Sequence, residues 1–420
     1  MNTITFIDKA VFYLLTCYAA VFSISSDAST ILKLAIIAAG IRCIKKPIRL
    51  DLDRGLATTI IFFFCTLLVS SITAYEPLTS FKQVGEYLYY MVPLFLAVLF
   101  VKKRKQLIVL LLALVVSTCV SDSYAIWQGL QGQQRAAAFT AHPMLLAGYL
   151  VQMLPLILIV LAEKTELRKG MRMGLLVVFL LSLAALIYNG TRGAWVAVAI
   201  TFSVYGMITV KRNKYILPSI IILFIMTGIV LGMNPAFQNR VQSITDLNNQ
   251  SNKERILLWK SSWNIIKDHP LTGVGSNNFR ILYQEKYILP EAKEPHLTHA
   301  HNNFIHIAAE AGILGLTGFV CLFGYILKFS WRQWRACPEN IFALGCFLVT
   351  ISLLLQGLTE FNFFHSRVMR LYWLIVGFML AYYKIYPMPC KFEEINGYDK
   401  IRISELTGAR NINIFPNNSK

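Results

Sequence analysis

Four histidines gather in a short polar stretch, HLTHAHNNFIH, just before a long apolar run. They are His296, His299, His301 and His306. Imidazole is the side chain whose ordinary pKa lies nearest neutrality, so it can take a proton from a hydroxyl group. The stretch has no HExxH pattern and no cysteine partner, which disfavours a zinc site. The spacing predicts one general base here, with the other histidines in capping or packing roles.

Three arginines are candidates for binding an anion, two in short loops that hold few basic residues and one in a long polar segment. Arg135 lies in GQQRAAAFTAHP, Arg192 in NGTRGAW and Arg255 in the long polar segment 234–302. A guanidinium group stays protonated and makes two charge-assisted hydrogen bonds to one phosphate. Arg192 also stands near the start of a predicted helix, where backbone N–H groups attract anions. We predict a phosphate site; the alternative is that the arginines reach toward lipid headgroups.

The segments that carry these residues are mostly apolar. Of 420 residues, 56% are hydrophobic and 15% are charged, which is more apolar surface than one soluble core can hide. Backbone exposed to lipid must be helical, and a span needs about 20 apolar residues. The sequence therefore predicts an all-α polytopic membrane protein. We predict twelve spans, at 10–26, 29–44, 56–74, 84–101, 106–126, 143–162, 173–189, 194–210, 215–233, 303–328, 339–359 and 368–386.

The net charge of +18 is distributed unevenly between the loops. Basic residues cluster in alternate loops, which indicates membrane sidedness and not nucleic acid binding. This pattern predicts that both termini are cytoplasmic. The predicted organisation is spans one to nine in 1–233, one large periplasmic loop in 234–302, spans ten to twelve in 303–386 and a cytoplasmic tail in 387–420. The eight cysteines avoid the large loop, so we expect no disulfide-stapled domain there.

The large loop has helical periodicity of its own. Ser251 to Glu254 has the pattern of a capping box, and apolar residues follow at helical spacing, so we predict an amphipathic helix over 252–268. Arg255 and Trp259 would share one side of it. The lysines on its other side allow the alternative that it lies on the membrane surface. The following HPLTGVGSNNF predicts a turn at its proline and glycines. A dinucleotide-binding loop is excluded because no strand precedes the glycines.

Several of these motifs together resemble a known family. His301-Asn302, nine residues, Gly312, two residues and Gly315 is similar to the His-Asn-x9-Gly-x2-Gly pattern of the O-antigen ligase and polymerase superfamily. TRGAW, HPLTGVGSNNF and Arg255 before a tryptophan-containing helix resemble its other recurrent pieces. The resemblance covers most of the chain, and it implies a fold like that of the GT-C glycosyltransferases.

The closest resemblance is to O-antigen ligases. These enzymes move a polysaccharide from undecaprenyl pyrophosphate to a sugar hydroxyl of lipid A-core, at the periplasmic face of the bacterial inner membrane. The resemblance implies that His301 is the general base, with His299 in reserve because a one-residue error in loop register would exchange them. Arg192 and Arg255, followed by Arg135, would bind the pyrophosphate.

Two more residues are candidates for supporting roles. Asn302 follows the predicted base directly, and Glu310 stands nine residues further along the helix, as an arginine partner or a polar lining residue. Direct displacement by an acceptor held opposite the leaving group would invert the configuration at the anomeric carbon. With arginines to neutralise the phosphates, we expect no metal and no cofactor. The expected partners are the lipid-linked donor, lipid A-core and membrane lipids, with no nucleic acid. O-antigen polymerase is the nearest alternative; a polysaccharide flippase or transporter is the other, although no internal repeat supports it.

Overall fold

The structure, a computed structural model, describes residues 3–386 apart from 26, 164–166, 234, 245 and 247. The predicted tail 387–420 lies outside the described residues. Within them the chain forms α-helices and no strand. The helices are α1 Thr3–Val21, α2 Ala28–Lys45, α3 Arg54–Ile72, α4 Pro77–Tyr90, α5 Val92–Phe100, α6 Arg104–Leu130, α7 Pro143–Ala162, α8 Lys169–Asn189, α9 Arg192–Thr209, α10 Ile216–Met233, α11 Pro235–Gln242, α12 Gln250–Asp268, α13 Phe279–Leu282, α14 Asn303–Ala336, α15 Ile341–Gln356 and α16 Ser366–Ile385.

The lengths and apolar character of these helices confirm a polytopic membrane protein. Across the described residues, nine helical segments are long and apolar enough to cross a bilayer, with α4 and α5 counted together. Shorter apolar helices cover Ile216–Gly228 and Ile341–Gln356. Each of the twelve predicted spans overlaps a helix of the structure. The number of twelve spans and the GT-C fold remain predictions.

The loops meet at two opposite ends of the bundle. At one end, which we call the long-loop side, Tyr75 N donates to Val274 O at 3.0 Å and Arg240 Nε donates to Gly190 O at 2.9 Å. The segment between α11 and α14 lies at this end. At the opposite end, Asp8 pairs with Arg42 at 2.7 Å. Each end of the bundle therefore has polar contacts between segments that are distant in sequence.

Helix α16 lies at the centre of the bundle and is buried from Val368 to Tyr382. It packs closely on α5: a Cβ atom at Gly377 would lie 3.0 Å from the Cα atom of Leu94. Small residues permit such approach between membrane helices, where van der Waals contact is a main source of association. The loop that precedes α16 is consequently held by a rigid element.

Helix α14 is broken at Gly312, whose φ of 65° and ψ of −167° are not helical. The backbone groups released there bond to the turn after α12: Ile313 N donates to Pro270 O at 2.9 Å, and Gly275 N donates to Glu310 O at 2.7 Å. A Cβ atom at Gly312 would lie 2.2 Å from Leu271 O. The glycine of the predicted motif thus permits a break whose polar groups are satisfied by protein.

Helix α12 begins two residues before the predicted helix, and its cap differs from the prediction. The side chain of Asn249, not that of Ser251, caps the helix by accepting from Ser251 N at 3.2 Å. Glu254 instead accepts from Lys293 N at 2.9 Å, in the segment that leads to the histidines. The capping-box prediction was wrong because this buried carboxylate finds backbone donors from a segment distant in sequence.

Candidate functional site

Two of the predicted histidines converge on one carboxylate at the long-loop side. His299 Nε2 lies 3.0 Å and His301 Nδ1 lies 3.1 Å from the same oxygen, Glu360 Oε1. Glu360 stands between α15 and α16 and is 2% exposed, whereas the side chains of His299 and His301 are 19% and 15% exposed. The cluster joins the end of the long loop to the last loop of the bundle.

The start of α14 positions these groups. His301 adopts the left-handed region, with φ of 47°, two residues before the helix begins. Asn302 caps the helix by accepting from Phe304 N at 2.9 Å, and it donates to Leu358 O at 2.9 Å. Asn302 therefore fastens the helix start to the loop that carries Glu360, and the strained backbone of His301 is held by contacts on both sides.

Glu360 is a buried anion. Burial by itself would raise the pKa of its carboxyl, but the hydrogen bonds from His299 and His301 hold that pKa well below its ordinary value. Its second oxygen, Oε2, is buried and has no hydrogen-bond partner among the described residues. Burial lowers the pKa of the His299 imidazole to about 4, although the bond to Glu360 acts in the opposite direction. His299 is thus a neutral donor to this carboxylate near pH 7.

The two imidazoles differ in what remains free. His299 uses both ring nitrogens, because its Nδ1 lies 2.9 Å from Thr298 Oγ1. His301 uses Nδ1 for Glu360, and its Nε2 has no partner in the described part of the chain. A carboxylate at Nδ1 favours the tautomer with its proton there, which leaves the Nε2 lone pair able to accept a proton. The geometry distinguishes the two histidines, which the sequence could not.

Four arginines lie near this cluster. Arg192 donates to Ser243 Oγ at 2.9 Å and to Asn252 Oδ1 at 2.9 Å, and Arg135 donates to Thr191 Oγ1 at 3.3 Å. Arg240 bonds to a backbone carbonyl, as above, and Arg255 lies on α12. Across the residues that the structure describes, no carboxylate forms an ion pair with any of the four. Arg135 Nε is buried without a partner there.

The arginines lie close enough together to influence one another's pKa. Burial lowers the pKa of Arg135, Arg240 and Arg255, and the neighbouring guanidinium groups lower those of Arg135 and Arg240 further. Glu360 acts in the opposite direction on Arg135 and Arg255. The arginines remain protonated because their ordinary pKa is so high. One buried carboxylate, shared with two histidines, leaves this group of cations with excess positive charge.

A cavity of about 420 Å³ opens beside the arginines. Arg192, Arg255 and Asn252 line its polar part. The rest of its wall is largely apolar and includes Val196, Ile200, Ile244, Ile256, Trp259, Leu355 and Leu358. Thr359, next to Glu360, also lines it. The cavity therefore has a cationic part at Arg192 and Arg255 and a largely apolar wall. Through Thr359 it adjoins the loop that carries Glu360.

Close packing explains the glycine of TRGAW. A Cβ atom at Gly193 would lie 2.0 Å from Thr359 Oγ1, so only glycine lets α9 approach the loop of Glu360. On the other side of the cavity, Trp259 Nε1 donates to Ala300 O at 2.9 Å. Helices α9 and α12 are consequently both tied to the segments that carry the histidine cluster.

Glu310 does not join the arginines. Its Oε1 lies 3.3 Å from His306 Nε2 and accepts from Phe279 N at 3.3 Å. His306 Nδ1 in turn accepts from Ala300 N at 3.2 Å. The predicted alternatives for Glu310 were an arginine partner or a polar lining residue. Its observed contacts instead connect the first half of α14 to the long loop.

Glu360 and Arg240 were missed by the sequence analysis. Glu360 stands in TEFNFFHS, an acidic residue in a short loop between two apolar stretches, which is the signal that could have identified it. Arg240 stands in FQNRVQ and carries no comparable signal. Both residues are distant in sequence from His301, and only the fold places Glu360 against His301 and Arg240 beside the turn that precedes Arg192.

The histidine cluster also has the chemistry of a metal site. One ligand atom each from His299, His301 and Glu360 lie within 4.8 Å of one another. Two imidazoles and a carboxylate are a ligand set that zinc accepts. In the hydrogen-bonded arrangement, each histidine keeps a proton directed at Glu360. A metal ion would have to replace both protons, so the two arrangements exclude each other.

Comparison with known proteins gives one finding about the family. The family model described as O-antigen ligase matches residues 177–320. This range contains Arg192, Arg240, Arg255, His299 and His301, whereas Glu360 and Arg135 lie outside it. No protein with a curated description matches the sequence significantly. The matched range holds Arg192, the long loop and the histidine motif, and it supports the assignment of this chain to the O-antigen ligase and polymerase superfamily.

Proposed function

We propose that this protein is an O-antigen ligase. It transfers O-polysaccharide from undecaprenyl pyrophosphate to a sugar hydroxyl of lipid A-core, which completes lipopolysaccharide. One observation carries the proposal: His301 is held by Glu360 at Nδ1 and keeps Nε2 free, and Thr359, next to Glu360, lines a cavity together with Arg192 and Arg255. A base next to a phosphate-binding cavity suits glycosyl transfer from a lipid diphosphate.

His301 is the general base in this proposal. The acceptor hydroxyl attacks the anomeric carbon of the donor while its proton passes to His301 Nε2. The bond between that carbon and the diphosphate oxygen breaks, and its electron pair leaves with undecaprenyl pyrophosphate. Attack opposite the leaving group inverts the anomeric configuration. Glu360 stabilises the imidazolium ion that forms, and a base so placed contributes about 10²–10⁴-fold in rate.

The arginines bind the diphosphate and stabilise its departure. Arg192, Arg255 and Arg135 were predicted for this role, and Arg240 joins them because it bonds to Gly190 O beside Arg192. Guanidinium groups match phosphate oxygens in pairs and neutralise the charge that builds up on the leaving group. The apolar wall of the cavity accommodates the first isoprene units. No metal or cofactor enters this scheme.

His299 is a positioning residue. Its neutral ring donates to the same carboxylate oxygen as His301 and so helps to keep Glu360 ionised. Asn302 fixes the start of α14, and Glu310 fixes the turn behind it, so neither contacts the substrate. The reserve assignment of the base to His299 is less consistent with the contacts, because both of its nitrogens already have partners.

The membrane orientation is part of the same proposal. Basic loops at the end of the bundle that carries Arg42 and Lys102 favour a cytoplasmic location for that end, with both termini there. The long-loop side then faces the periplasm of a bacterial inner membrane. With twelve spans, divided as predicted around the loop 234–302, the site opens where both lipid-linked substrates are found.

Purified protein in lipid nanodiscs tests the proposal. With undecaprenyl-pyrophosphate-linked O-polysaccharide and lipid A-core, it should form lipopolysaccharide without ATP or an ion gradient. His301→Ala should lose transfer by about 10²-fold or more while donor binding persists. Joining of two lipid-linked chains without use of lipid A-core would identify a polymerase instead. Transfer at the normal rate by the His301 variant would exclude it as the base.

A further inference from the structure

A second pair of arginines lies at the start of α16. Arg370 is only 7% exposed, and Arg367, one turn earlier, is partly exposed. Arg370 Nε donates to Ser366 O at 3.1 Å, Nη2 donates to Ser366 Oγ at 3.1 Å and Nη1 donates to Ser29 Oγ at 3.4 Å. These acceptors are all neutral. A buried guanidinium in a membrane helix usually marks a functional site or a charge partner.

No acidic partner accounts for this pair. In the part of the chain that the structure describes, neither Arg367 nor Arg370 forms an ion pair. A guanidinium has five N–H groups, and three of those of Arg370 are used in the bonds above. Two remain for a further acceptor. Arg367 has one bond, a long one of 3.4 Å from Nη1 to Phe139 O.

Two tyrosines face the same place with unused hydroxyl groups. Tyr18 is 0% exposed, and its hydroxyl has no hydrogen-bond partner among the described residues; the Tyr89 hydroxyl is buried and likewise lacks one there. Arg370 lies over the Tyr89 ring, 5.7 Å from its centroid. Tyr18 interacts electrostatically with Tyr89, Arg367 and Arg370. Buried hydroxyls left without partners are costly, so a missing acceptor is indicated.

This donor-rich group is separate from the cavity described above. Its side chains come from α1, α4 and α16, whereas those of the cavity come from α9, α12, α15 and the adjoining loops. The loop 357–365, which carries Glu360, leads directly into α16. His365 is the residue at the N-cap position of that helix, and its ring lies 6.2 Å from the His299 ring, centroid to centroid. The loop of Glu360 therefore connects the histidine cluster to the helix that carries this second set of arginines.

We propose that Arg367 and Arg370, with Tyr18 and Tyr89, bind a phosphate group of the lipid-linked acceptor. The inference rests on the proposed function, because it assigns the second substrate of that reaction. An ionised phosphate accepts hydrogen bonds and donates none. Guanidinium groups and tyrosine hydroxyls, which can all donate, therefore suit it. The donor diphosphate already has its own arginines. The second set lies on the helix that follows the loop of Glu360, apart from the arginines of the cavity, and it is therefore available to the second substrate.

Kinetics with two acceptors test the proposal. Wild-type protein in phosphatidylcholine nanodiscs is given lipid A-core, or the same acceptor after chemical removal of its phosphates. Wild-type protein should prefer the phosphorylated acceptor, with the lower KM. Tyr18→Phe, Tyr89→Phe and Arg367→Gln should each reduce this ratio of KM values about tenfold, the expected effect of one bond to a charged group. An equal KM for both acceptors, or an equal change for both in the variants, would overturn the proposal.

Matched controls separate the effect from general damage. Arg280→Gln removes an exposed arginine from the same side of the bundle, and it should leave the KM ratio as in wild type. Arg370→Gln is included, but Tyr18→Phe is decisive because it removes an unpartnered hydroxyl and keeps the ring. Repetition in phosphatidylglycerol nanodiscs identifies a competing lipid headgroup. If the variants change activity only in those discs, the site holds a membrane phospholipid and the proposal fails.

Binding without donor distinguishes the two proposals. Retention of the phosphorylated acceptor by nanodisc-embedded protein is compared between wild type and Tyr18→Phe. If wild-type protein transfers no sugar in any condition yet holds the phosphorylated acceptor about tenfold more tightly than the variant, the ligase proposal fails and the site stands. If transfer occurs and the two proteins bind both acceptors alike, the ligase proposal stands and the phosphate site is wrong.

Discussion

His301 directs Nδ1 to the buried carboxylate of Glu360 at 3.1 Å, across 59 residues of sequence. The contact joins the residue before the N-cap of α14 to the loop before α16. It orients the ring and leaves Nε2 as the nitrogen that can accept a proton. His299 approaches the same oxygen, so one carboxylate organises two imidazoles.

Removal of the charge on Glu360 should reduce catalysis without unfolding the protein. Glu360→Gln keeps the size of the side chain but no longer stabilises an imidazolium at His301. We expect kcat to fall by about 10²–10⁴-fold with little change in donor KM. Glu294→Gln, an exposed residue of the long loop, is the matched control. Full activity of the Glu360 variant in a steady-state transfer assay would contradict the role of the carboxylate.

The low pKa of His299 predicts loss of stability in weak acid. Its pKa is depressed to about 4 in the folded protein from an ordinary 6.5, so the unfolded chain binds the proton more readily between these values. The stabilisation is complete above about pH 6.5 and is lost as the pH falls toward 4, up to about 3 kcal/mol. Thermal unfolding in detergent across this range measures it.

The control for this titration is a second histidine of the same stretch. His299→Gln should flatten the dependence between pH 6.5 and 4 relative to wild type. His296→Gln changes an exposed side chain and should keep the wild-type curve. Identical pH dependence in the wild-type and His299→Gln proteins would show that His299 is not the titrating group.

The paired hydrogen bonds that only a guanidinium group can make should contribute to donor binding at the cavity. Arg192→Ala, Arg255→Ala and Arg240→Ala should each raise the donor KM or lower transfer by about 10–100-fold, because each removes bonds to a charged ligand. Lysine at these positions keeps the charge but not the paired bonds, so it should restore only part. The donor dependence of transfer measures both effects. Complete rescue by lysine would argue for charge alone.

Metal chelation tests the hydrogen-bonded arrangement of the histidine cluster. A chelator should leave transfer unchanged, and added zinc should inhibit it. A metal ion at His301 Nδ1 would displace the proton to Nε2 and so abolish the base. Inhibition by zinc should weaken in His299→Ala, which removes one ligand. Loss of activity on chelation, with recovery on addition of a divalent ion, would replace the proposed base with a metal centre.

The break in α14 should depend on Gly312. Gly312→Ala adds a Cβ atom 2.2 Å from Leu271 O at a φ of 65°, so we expect a loss of stability of at least about 2 kcal/mol. Gly324→Ala, in the same helix, has nothing within 4 Å and should be neutral or stabilising. Thermal unfolding of both variants makes the comparison. Equal stability would mean that the break does not require glycine.

The class of the protein could be read from the sequence because it depends on local composition. Apolar runs of the length of a bilayer must be helices, whatever they pack against, and the structure has a helix at each predicted stretch. The His-Asn motif and the arginines of the long-loop side were also found from the sequence, since rare polar residues are conspicuous in an apolar sequence. The sequence did not predict the role of Gly312, because the backbone atoms that pack against it lie more than thirty residues upstream.

The details of the site were decided by tertiary structure. His299 and His301 are two residues apart in one loop, and no local sequence pattern distinguishes them. In the structure both rings contact Glu360, but only His301 keeps its second ring nitrogen free. The sequence predicted Glu254 as the acidic residue of a capping box. In the structure its carboxylate instead accepts hydrogen bonds from the backbone N–H groups of residues 293 and 294. Composition determines which segments leave water, but only the packing of distant segments determines which nitrogen, oxygen or guanidinium meets another.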